Sequence, residues 1–436
     1  MLPSSSALLT YIFKSVIFKR FSRKKVEIKP KGYEKIQKLI QKGVHIPNPL
    51  TIYVSDEVNV DHISADVTIY PGCRIYGQKT VIAAGTKLGY EAPVTIDNCQ
   101  LGQKVELKGG YFTQSVFLEK SSMGSGAHVR EACILEEQAS GAHCVGLKQT
   151  ILFPFVTLGN LINFCDCLMA GGTSRKNHSE VGSSYIHFNF TPDGDKATAS
   201  LIGDVPHGVM LNKPPIFLGG QGGMVGPLRI GYGNVIAAGS ILRKDIIEEN
   251  KLIMGKSYQG AIVNRIPAAY PGLTRIIENN VLYLANLLAL EEWYIHVRKL
   301  FFEKKEFGTL IYDGLLEKIQ MAKNERIKRL KELAAKIRES FKENVNPIKK
   351  EFCEKVDGIE GILKNKTTKL SGAQERDRFL NVLVQNREQY GDDYIGTIQN
   401  LPVHASQKGT QWLTSVVEAF CRDIVQNFPT LNIFKK

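Results

Sequence analysis

One stretch of the chain, Glu180 to Asp245, together with His178 just upstream, gathers side chains that could bind a ligand or move a proton. His178 and His187 are imidazoles, the side chains that exchange protons near neutral pH. Asn189 can donate and accept hydrogen bonds at once, which suits hydroxyl and acetamido groups. Lys196 adds a positive charge of the kind that phosphates attract. The stretch therefore predicts a ligand site.

A glycine-dense run, Gly219 to Gly226, lies in the second half of this stretch. No Gly-Lys-Ser or Gly-Lys-Thr follows it, so it is not a Walker loop. We expect its glycines to let the backbone approach a ligand or a neighbouring subunit closely. No paired acidic motif or histidine cluster indicates a metal, and no metal is predicted.

Composition narrows the class of protein. The 436 residues carry a formal net charge of +13, which indicates anionic partners such as phosphorylated metabolites, nucleic acid or an acidic membrane. Charge alone does not choose among the three, and no nucleic-acid motif is present. The eight cysteines are scattered without paired spacing, so we expect free thiols and a reducing, cytoplasmic location.

The scaffold that positions these residues is indicated by apolar side chains that recur every six residues. A period of six is the spacing of a hexapeptide β-helix, in which three short parallel strands make one triangular coil. The repeated aliphatic side chain points inward and stacks on its copy in the next coil. Between Val44 and Asp245 there is room for roughly eleven coils. The periodic positions include Ile63, Ile69, Ile75, Val81, Met123, Val129, Leu135, Val156, Ile162, Leu168, Ile230, Ile236 and Leu242.

A glycine often follows the periodic apolar residue, as in Leu101-Gly102 and Leu158-Gly159. Glycine adopts positive φ without steric cost, so we expect these glycines to supply the backbone conformation at the coil corners.

The chain divides into three regions: an N-terminal helical segment (1–43), the left-handed β-helix (44–257) and an α-helical C-terminal region (258–436). Leu273 to Phe307 contains neither Gly nor Pro and has apolar residues at helical spacing. Lys323 to Lys350 has ten Lys or Arg against four acids, which predicts a solvated helix face in preference to a nucleic-acid patch. The fold class is thus mainly β, with helices at both ends.

The first 25 residues are apolar and basic, with Lys14 interrupting the apolar run. This pattern fits neither a signal peptide nor a membrane span. An amphipathic helix here could make a weak contact with an anionic membrane surface, but docking on the protein's own body is the preferred interpretation.

Several motifs carry a resemblance to a known family. Met123 to Arg130 followed by Cys144 to Lys148, Ile186 to Phe190 with Lys196, and Ile236 to Gly239 with Arg243 occur in the family's order. From Gly43 to about Asp245 the chain resembles the C-terminal, left-handed β-helix half of the bacterial bifunctional N-acetylglucosamine-1-phosphate uridyltransferase/glucosamine-1-phosphate acetyltransferase. No part of these 436 residues is expected to correspond to the family's nucleotidyltransferase half.

The resemblance implies roles for particular residues, a homotrimer, and acetyl-coenzyme A or another acyl-coenzyme A as donor. It implies that a sugar phosphate or nucleotide sugar is bound by Arg130, Lys148, Asn160, Asn163, Asn189, Phe190 and Lys196. It implies that the coenzyme lies against Gly220, Ala237, Ala238 and Arg243.

One position departs from the family pattern. The family places its catalytic histidine in a Gly-His-Leu-Thr-Tyr context, and the matching segment here is Gly159 to Phe164, with Asn160 at the histidine position. An amide has no usable pKa near neutrality, so Asn160 cannot be a general base. His178 or His187 could supply the base, although either could instead be a ligand contact or a structural residue.

Three functions follow from these observations. The first is an acyl- or acetyltransferase acting on a UDP-linked or phosphorylated N-acetylhexosamine. The alternative is a non-catalytic sugar-nucleotide sensor or scaffold, in which loss of the family base reflects loss of activity. The third is a UDP-N-acetylglucosamine pyrophosphorylase, to which only Gly171 to Arg175 bears a likeness, without the Pro-Lys continuation of that loop.

Overall fold

The computed structural model describes residues 29–255, 260–267, 269–341, 346–365 and 370–434. Its central part is a parallel β-solenoid, in which each coil contributes one short strand to each of three faces. The mainly β fold, a left-handed parallel β-helix with a helical C-terminal region, is confirmed. The amphipathic helix predicted within residues 1–25 lies outside the described residues.

Face A is one parallel sheet running the length of the solenoid. His45 bridges Thr68 in parallel at its start, which brings the face to eleven levels, in agreement with the number predicted. Its strands are Thr68–Ile69, Lys87–Leu88, Glu106–Leu107, Ser122–Met123, Ser140–Gly141, Thr157–Leu158, Glu180–Val181, Phe217–Leu218, Val235–Ile236 and Leu252–Ile253.

Faces B and C form the remaining sheet, because two long strands turn the corner between them without a break: Gly146–Leu152 and Asn163–Met169. Face B also contains Tyr53–Val54, Arg74–Tyr76, Val94–Asp97, Gly110–Thr113, Ala127–Val129, Ile186–Phe188, Gly223–Val225 and Ile241–Leu242. Face C also contains Val81–Ile82, Gln100–Leu101, Ser115–Phe117, Cys133–Leu135, Ser200–Ile202 and Arg229–Ile230. A small antiparallel hairpin, Gly172–Ser174 with Asn177–His178, projects between faces C and A.

A ladder of small polar side chains lines the inside of the corner between faces B and C. Each member follows a residue with positive φ and donates to the carbonyl two residues earlier, as Ser115 Oγ does to Thr113 at 2.7 Å and Thr150 Oγ1 to Lys148 at 3.0 Å. A carbonyl turned into the core at a sharp corner needs such a donor. The ladder consists of Cys99, Ser115, Thr150 and Cys167.

The glycines of the repeat have a different role from the one predicted. Neither Gly102 nor Gly159 has positive φ. A Cβ at Gly159 would lie 2.9 Å from the backbone nitrogen of Ser183 in the next coil, so glycine is needed there for close stacking. Positive φ is instead adopted by larger residues such as Lys104 and Leu161. The expectation that glycine supplies the corner conformation was wrong at these repeats.

Helices begin and end the described chain. The helix Tyr33–Lys42 buries Ile36 and Leu39 and stops at Gly43, as its sequence predicted. No described helix is long and apolar enough to cross a membrane. The other α-helices are Val205–Gly208, Leu273–Trp293, Lys299–Phe302, Gly308–Glu339, Pro347–Lys355, Gly358–Leu363, Ala373–Tyr390, Tyr394–Gln399 and Val403–Asn427, with a π-helical turn at Tyr294–Arg298.

The long helix Gly308–Glu339 lies along face C, parallel to the solenoid axis. Near its start, Gly314 approaches Gln100 so closely that a Cβ would meet the Gln100 Oε1 atom at 2.4 Å. Further along, an Arg326 Nη donates to Asp166 at 2.6 Å. The helix rises about 18 Å between these points, and the four strand spacings between the two contacts on face C amount to about 19 Å.

Two cations of the basic run, Lys323 and Arg326, are buried, contrary to the predicted solvated face, whereas Lys328 and Arg338 are exposed. Arg326 is 1% exposed and pairs with Asp166 of the solenoid. Lys323 is also buried, and its Nζ atom lies 2.6 Å from Glu291. Sequence composition could not reveal this, because the acids that neutralise these cations come from distant parts of the chain.

A second set of buried polar contacts holds the π-helical turn against face C. An Arg298 Nη donates to Glu137 at 2.6 Å, and the Tyr294 hydroxyl donates to Glu136. Burial raises the pKa of Glu136 to about 7, although the Arg298 charge opposes that shift. The guanidinium of Arg298 also stacks 3.7 Å from the ring centre of Tyr394.

Candidate functional site

An open groove of about 470 Å³ lies on face B and extends to the corner that face B shares with face A. Val145, Leu147 and Ile162 border the groove, but their side chains are buried in the solenoid core and offer a ligand almost no apolar surface. The walls of the groove carry side chains of different chemistry: Gly126, His128, Arg130, Cys144, Gly146, Leu161, Asn163 and Ile186. Two residues predicted for substrate binding, Arg130 and Asn163, therefore line one concave surface.

Two cations of face B, Lys148 and Arg130, differ in how free their charges are, and of the two only Arg130 lines the groove. The Lys148 Nζ atom lies 2.8 Å from Glu131, which neutralises much of its charge, whereas the side chain of Arg130 is exposed. Burial and the Asp166 charge raise the pKa of the Cys165 thiol, while the Arg130 and Lys148 charges oppose the shift. Arg130 is thus the groove's main exposed donor for an anion.

Asn160, at the position of the family's histidine, is held by a histidine of the preceding coil. Its Oδ1 atom accepts a hydrogen bond from the His143 backbone nitrogen at 3.0 Å and lies 3.3 Å from His143 Nδ1. His143 Nε2 is 3.2 Å from Glu91 Oε2, and Glu91 pairs with Lys108 at 3.3 Å. Partial burial raises the pKa of Glu91, but Lys108 and His143 bring it below its usual value.

Sequence reasoning did not single out His143. The signal was its distance of 17 residues from Asn160, one full coil, which puts both residues at the same corner. Corner residues of adjacent coils contact each other through the axial stacking of the repeat.

His187 is buried, at 3% exposure, and both ring nitrogens are engaged. Nδ1 donates to the Cys165 carbonyl at 2.5 Å, and Nε2 accepts from the Ser200 hydroxyl at 2.9 Å. Burial lowers the pKa of His187 to about 4. The His187 ring donates to a corner carbonyl, as the small polar side chains of the ladder do in other coils, at the point where the chain leaves the corner in a loop. His187 is therefore a structural residue, and its assignment as the base is corrected.

His178 belongs to the hairpin between faces C and A, across the triangular section from the groove. Its Nδ1 donates to the Arg175 carbonyl at 2.9 Å, and its Nε2 lies 3.6 Å from Glu180. Arg175 in turn donates to Phe155 and Gln138 carbonyls of neighbouring coils. Within one chain His178 does not share a surface with the groove, so it is not placed to act as its base.

The loop between Phe188 and Ser200 carries three further predicted residues, none of which lines the groove. Asn189 Oδ1 accepts from the Thr198 hydroxyl at 2.5 Å, which makes it a loop-closing residue. Phe190 is 71% exposed, and Lys196 is an exposed residue with φ of 58°. The loop follows face B at its corner with face C, whereas the groove extends to the corner with face A.

The residues predicted to hold a coenzyme continue along the groove's corner. The backbone nitrogen of Gly239 donates to the Gly220 carbonyl at 2.9 Å, so Gly220 and Ala238 stack in consecutive coils. Asn160 lies on the same corner two coils before Gly220. Ala237 is half-buried beside Ala238, and Arg243 follows the last face B strand with its side chain exposed.

The part of the chain that the structure describes contains no cluster of side chains suited to bind a metal ion. No group of three or more His, Cys, Asp or Glu side chains there is arranged to hold an ion.

Comparison with known proteins gives one consistent result. No protein-family model matches the chain. The chain is 26% identical over 213 residues to the bifunctional protein GlmU of Thermotoga maritima, which covers 49% of this chain and 42% of the relative. GlmU of Carboxydothermus hydrogenoformans is 26% identical over 225 residues (52% and 45%), and GlmU of Lawsonia intracellularis is 28% identical over 219 residues (49% and 42%).

The chain thus spans less than half the length of the curated relatives it matches. The resemblance inferred from its motifs is confirmed: about half of this chain is similar to part of the bifunctional protein GlmU.

Proposed function

We propose that the protein is an acyltransferase-like β-helix protein whose face B groove binds a phosphorylated or nucleotide-linked hexosamine. The observation that carries this proposal is the groove itself, where exposed Arg130 and Asn163 face a shared concavity in a GlmU-like solenoid. A guanidinium supplies paired donors for phosphate oxygens, and an amide serves sugar hydroxyls. The donor in this proposal is an acyl-coenzyme A lying against Gly220, Ala237 and Ala238, with Arg243 toward its phosphates.

The proposed reaction joins the acyl carbon to the sugar amine and breaks the thioester C–S bond, and the departing thiolate takes up a proton. The amine must lose a proton during attack. The His143–Glu91 pair at the same corner offers an imidazole and a carboxylate that could hold that proton together. This role goes to His143 because it contacts Asn160, the residue at the family's histidine position, whereas His187 and His178 lie away from that corner.

A non-catalytic sugar-nucleotide binder is the second candidate. It is favoured by the burial of His187 and by the placement of His178 away from the groove. In that case the groove binds ligand without any acyl transfer, and Asn160 marks the loss of the base.

The test measures binding and turnover on the full chain. Calorimetry with UDP-N-acetylglucosamine, glucosamine 1-phosphate and acetyl-coenzyme A reports binding, and mass spectrometry of acetylated sugar phosphate reports turnover. Arg130→Ala is expected to weaken sugar-phosphate binding at least tenfold. Arg74→Ala, an exposed arginine of face B outside the groove, is the matched control and should bind normally.

The outcomes separate the candidates. Turnover that falls in His143→Ala supports the transferase, whereas sugar binding without coenzyme binding supports the binder. Failure of every sugar phosphate and nucleotide sugar to bind would overturn both. For the pyrophosphorylase alternative, we expect no magnesium-dependent pyrophosphate release.

We also propose a homotrimer in the cytoplasm, as the resemblance implies. Light scattering coupled to size exclusion would show three times the 48.6 kDa chain mass. A monomer at micromolar concentration would contradict it.

A further inference from the structure

Leu161, on the groove's wall, is unusual in two ways. It is 58% exposed, and it adopts φ of 58°, a conformation that costs a non-glycine residue roughly 1 kcal/mol or more. The equivalent corner residues of the neighbouring coils are Gly126, Cys144 and Ser184, which are small. A large apolar side chain that is both exposed and held in an unfavourable backbone conformation indicates a functional contact.

A second exposed apolar side chain stands in the next coil. Ile186 is 37% exposed, pairs in register with Asn163 and lines the same groove as Leu161. Across the groove, Arg130 presents an exposed cation. One concavity thus offers an apolar wall and a site for an anion.

We infer that the groove binds an amphiphilic ligand: a sugar phosphate whose acyl group is an aliphatic chain of several carbons and not an acetyl group. This inference rests on the proposed function and specifies its substrate class. The chain packs on Leu161 and Ile186, and the phosphate pairs with Arg130. An acetyl group is too small to cover both apolar side chains, whereas each additional methylene removes more of their surface from water.

The test compares two ligands that differ only in chain length, N-acetylglucosamine 1-phosphate and N-dodecanoylglucosamine 1-phosphate. Both are titrated calorimetrically into the full chain below the micelle concentration. The dodecanoyl ligand is expected to bind at least tenfold more tightly. Leu161→Asn should remove most of that advantage, because it should weaken the dodecanoyl ligand much more than the acetyl ligand.

Leu161→Asn also separates a ligand contact from a folding defect. Asparagine tolerates positive φ, so this variant should unfold at the same or a higher temperature than the wild type. Lys104→Asn is the matched control, since Lys104 is an exposed corner residue with φ of 56° far from the groove. It should leave the affinity for both ligands unchanged.

Cys144 provides an independent footprint, because it lines the groove and the other cysteines are buried or partly buried. Alkylation by iodoacetamide, followed by mass spectrometry, should be slowed at Cys144 by the dodecanoyl ligand. Protection at Cys421 and not at Cys144 would contradict binding in the groove.

The outcomes distinguish this inference from the proposed function. If both ligands bind equally, the proposed function stands and the inference is overturned. If neither binds, the proposed function fails. Dodecyl phosphate, which has no sugar, is titrated as a third ligand. If it binds as tightly as the acylated sugar and Leu161→Asn weakens both, the apolar contact is supported, but a contribution of the sugar to binding is contradicted. A changed oligomeric mass in Leu161→Asn would instead assign Leu161 to contact between copies.

Discussion

Faces B and C are built from the same coils, and two strands belong to both, yet helices cover face C and leave face B open. On face C, helices cover the strands and bring charged side chains into the interior, where each is paired, as in Arg326 with Asp166 and Arg298 with Glu137. On face B, the strands remain open, and Arg130 is exposed beside exposed apolar side chains.

The contrast shows which polar residues of a β-helix hold the fold and which are available for binding. A buried charge must be paired, so its partner identifies it as structural. An exposed charge on a concave surface needs no protein partner, because water solvates it, and it is available to bind a ligand. His187 and Arg130, both singled out by sequence, fall on opposite sides of this division.

The largest expected effect on the free energy of unfolding comes from a substitution at face C. Arg326→Ala leaves Asp166 buried without its partner, so the free energy of unfolding should fall by about 3 to 5 kcal/mol, measured by urea denaturation. Arg329→Ala removes a cation of the same helix that pairs only within the helix, and it should cost less than about 1 kcal/mol. Equal losses in both variants would contradict a special role for the buried pair.

His187→Asn is expected to cost about 1 to 3 kcal/mol, because the Cys165 carbonyl and the Ser200 hydroxyl lose a partner. The folded pKa of His187, about 4, lies below its ordinary 6.5, so its contribution is full above pH 6.5 and is lost as pH falls towards 4. The stability difference between variant and wild type should therefore shrink across that window. A difference independent of pH would show that the imidazole does not titrate there.

Glu136→Gln tests another buried ionisable group of face C, and its effect depends on pH in the opposite direction to that of His187. The folded pKa of Glu136 is raised to about 7, so its contribution is full below pH 4.5 and is lost as pH rises through 7. Glutamine cannot ionise, so the variant should match the wild type near pH 4.5 and exceed its stability by about 1 to 2 kcal/mol at pH 8. Denaturation at the two pH values checks this, and lower stability at pH 8 would contradict it.

The smallest effect on stability belongs to face B. Arg130→Ala should change the free energy of unfolding by less than about 0.5 kcal/mol, because an exposed arginine gives up little on removal. The same denaturation series measures it. A loss above 2 kcal/mol would place Arg130 among the structural charges and remove the main support for the groove.

The sequence predicted the solenoid well because one physical pattern, an inward aliphatic every six residues, repeats in every coil. It predicted that Arg130 and Asn163 would share a surface, since their motifs kept a familiar order. It did not predict the partners of His187 or the contact between His143 and Asn160. Those contacts depend on where loops leave a corner and on which residues of adjacent coils meet at that corner. Neither feature follows the six-residue period of the sequence.

The helix Gly308–Glu339 has a consequence for how the molecule comes apart. Each coil of a solenoid contacts only its neighbours, so a bare stack can lose its end coils one at a time. This helix contacts Gln100 and Asp166, four strand spacings apart, and it also packs against the face C strands of the coils between them. Opening any of those coils strains contacts at both ends. Under a pulling force, this middle section should therefore yield in a single step, separately from the end of the solenoid at Leu252–Ile253.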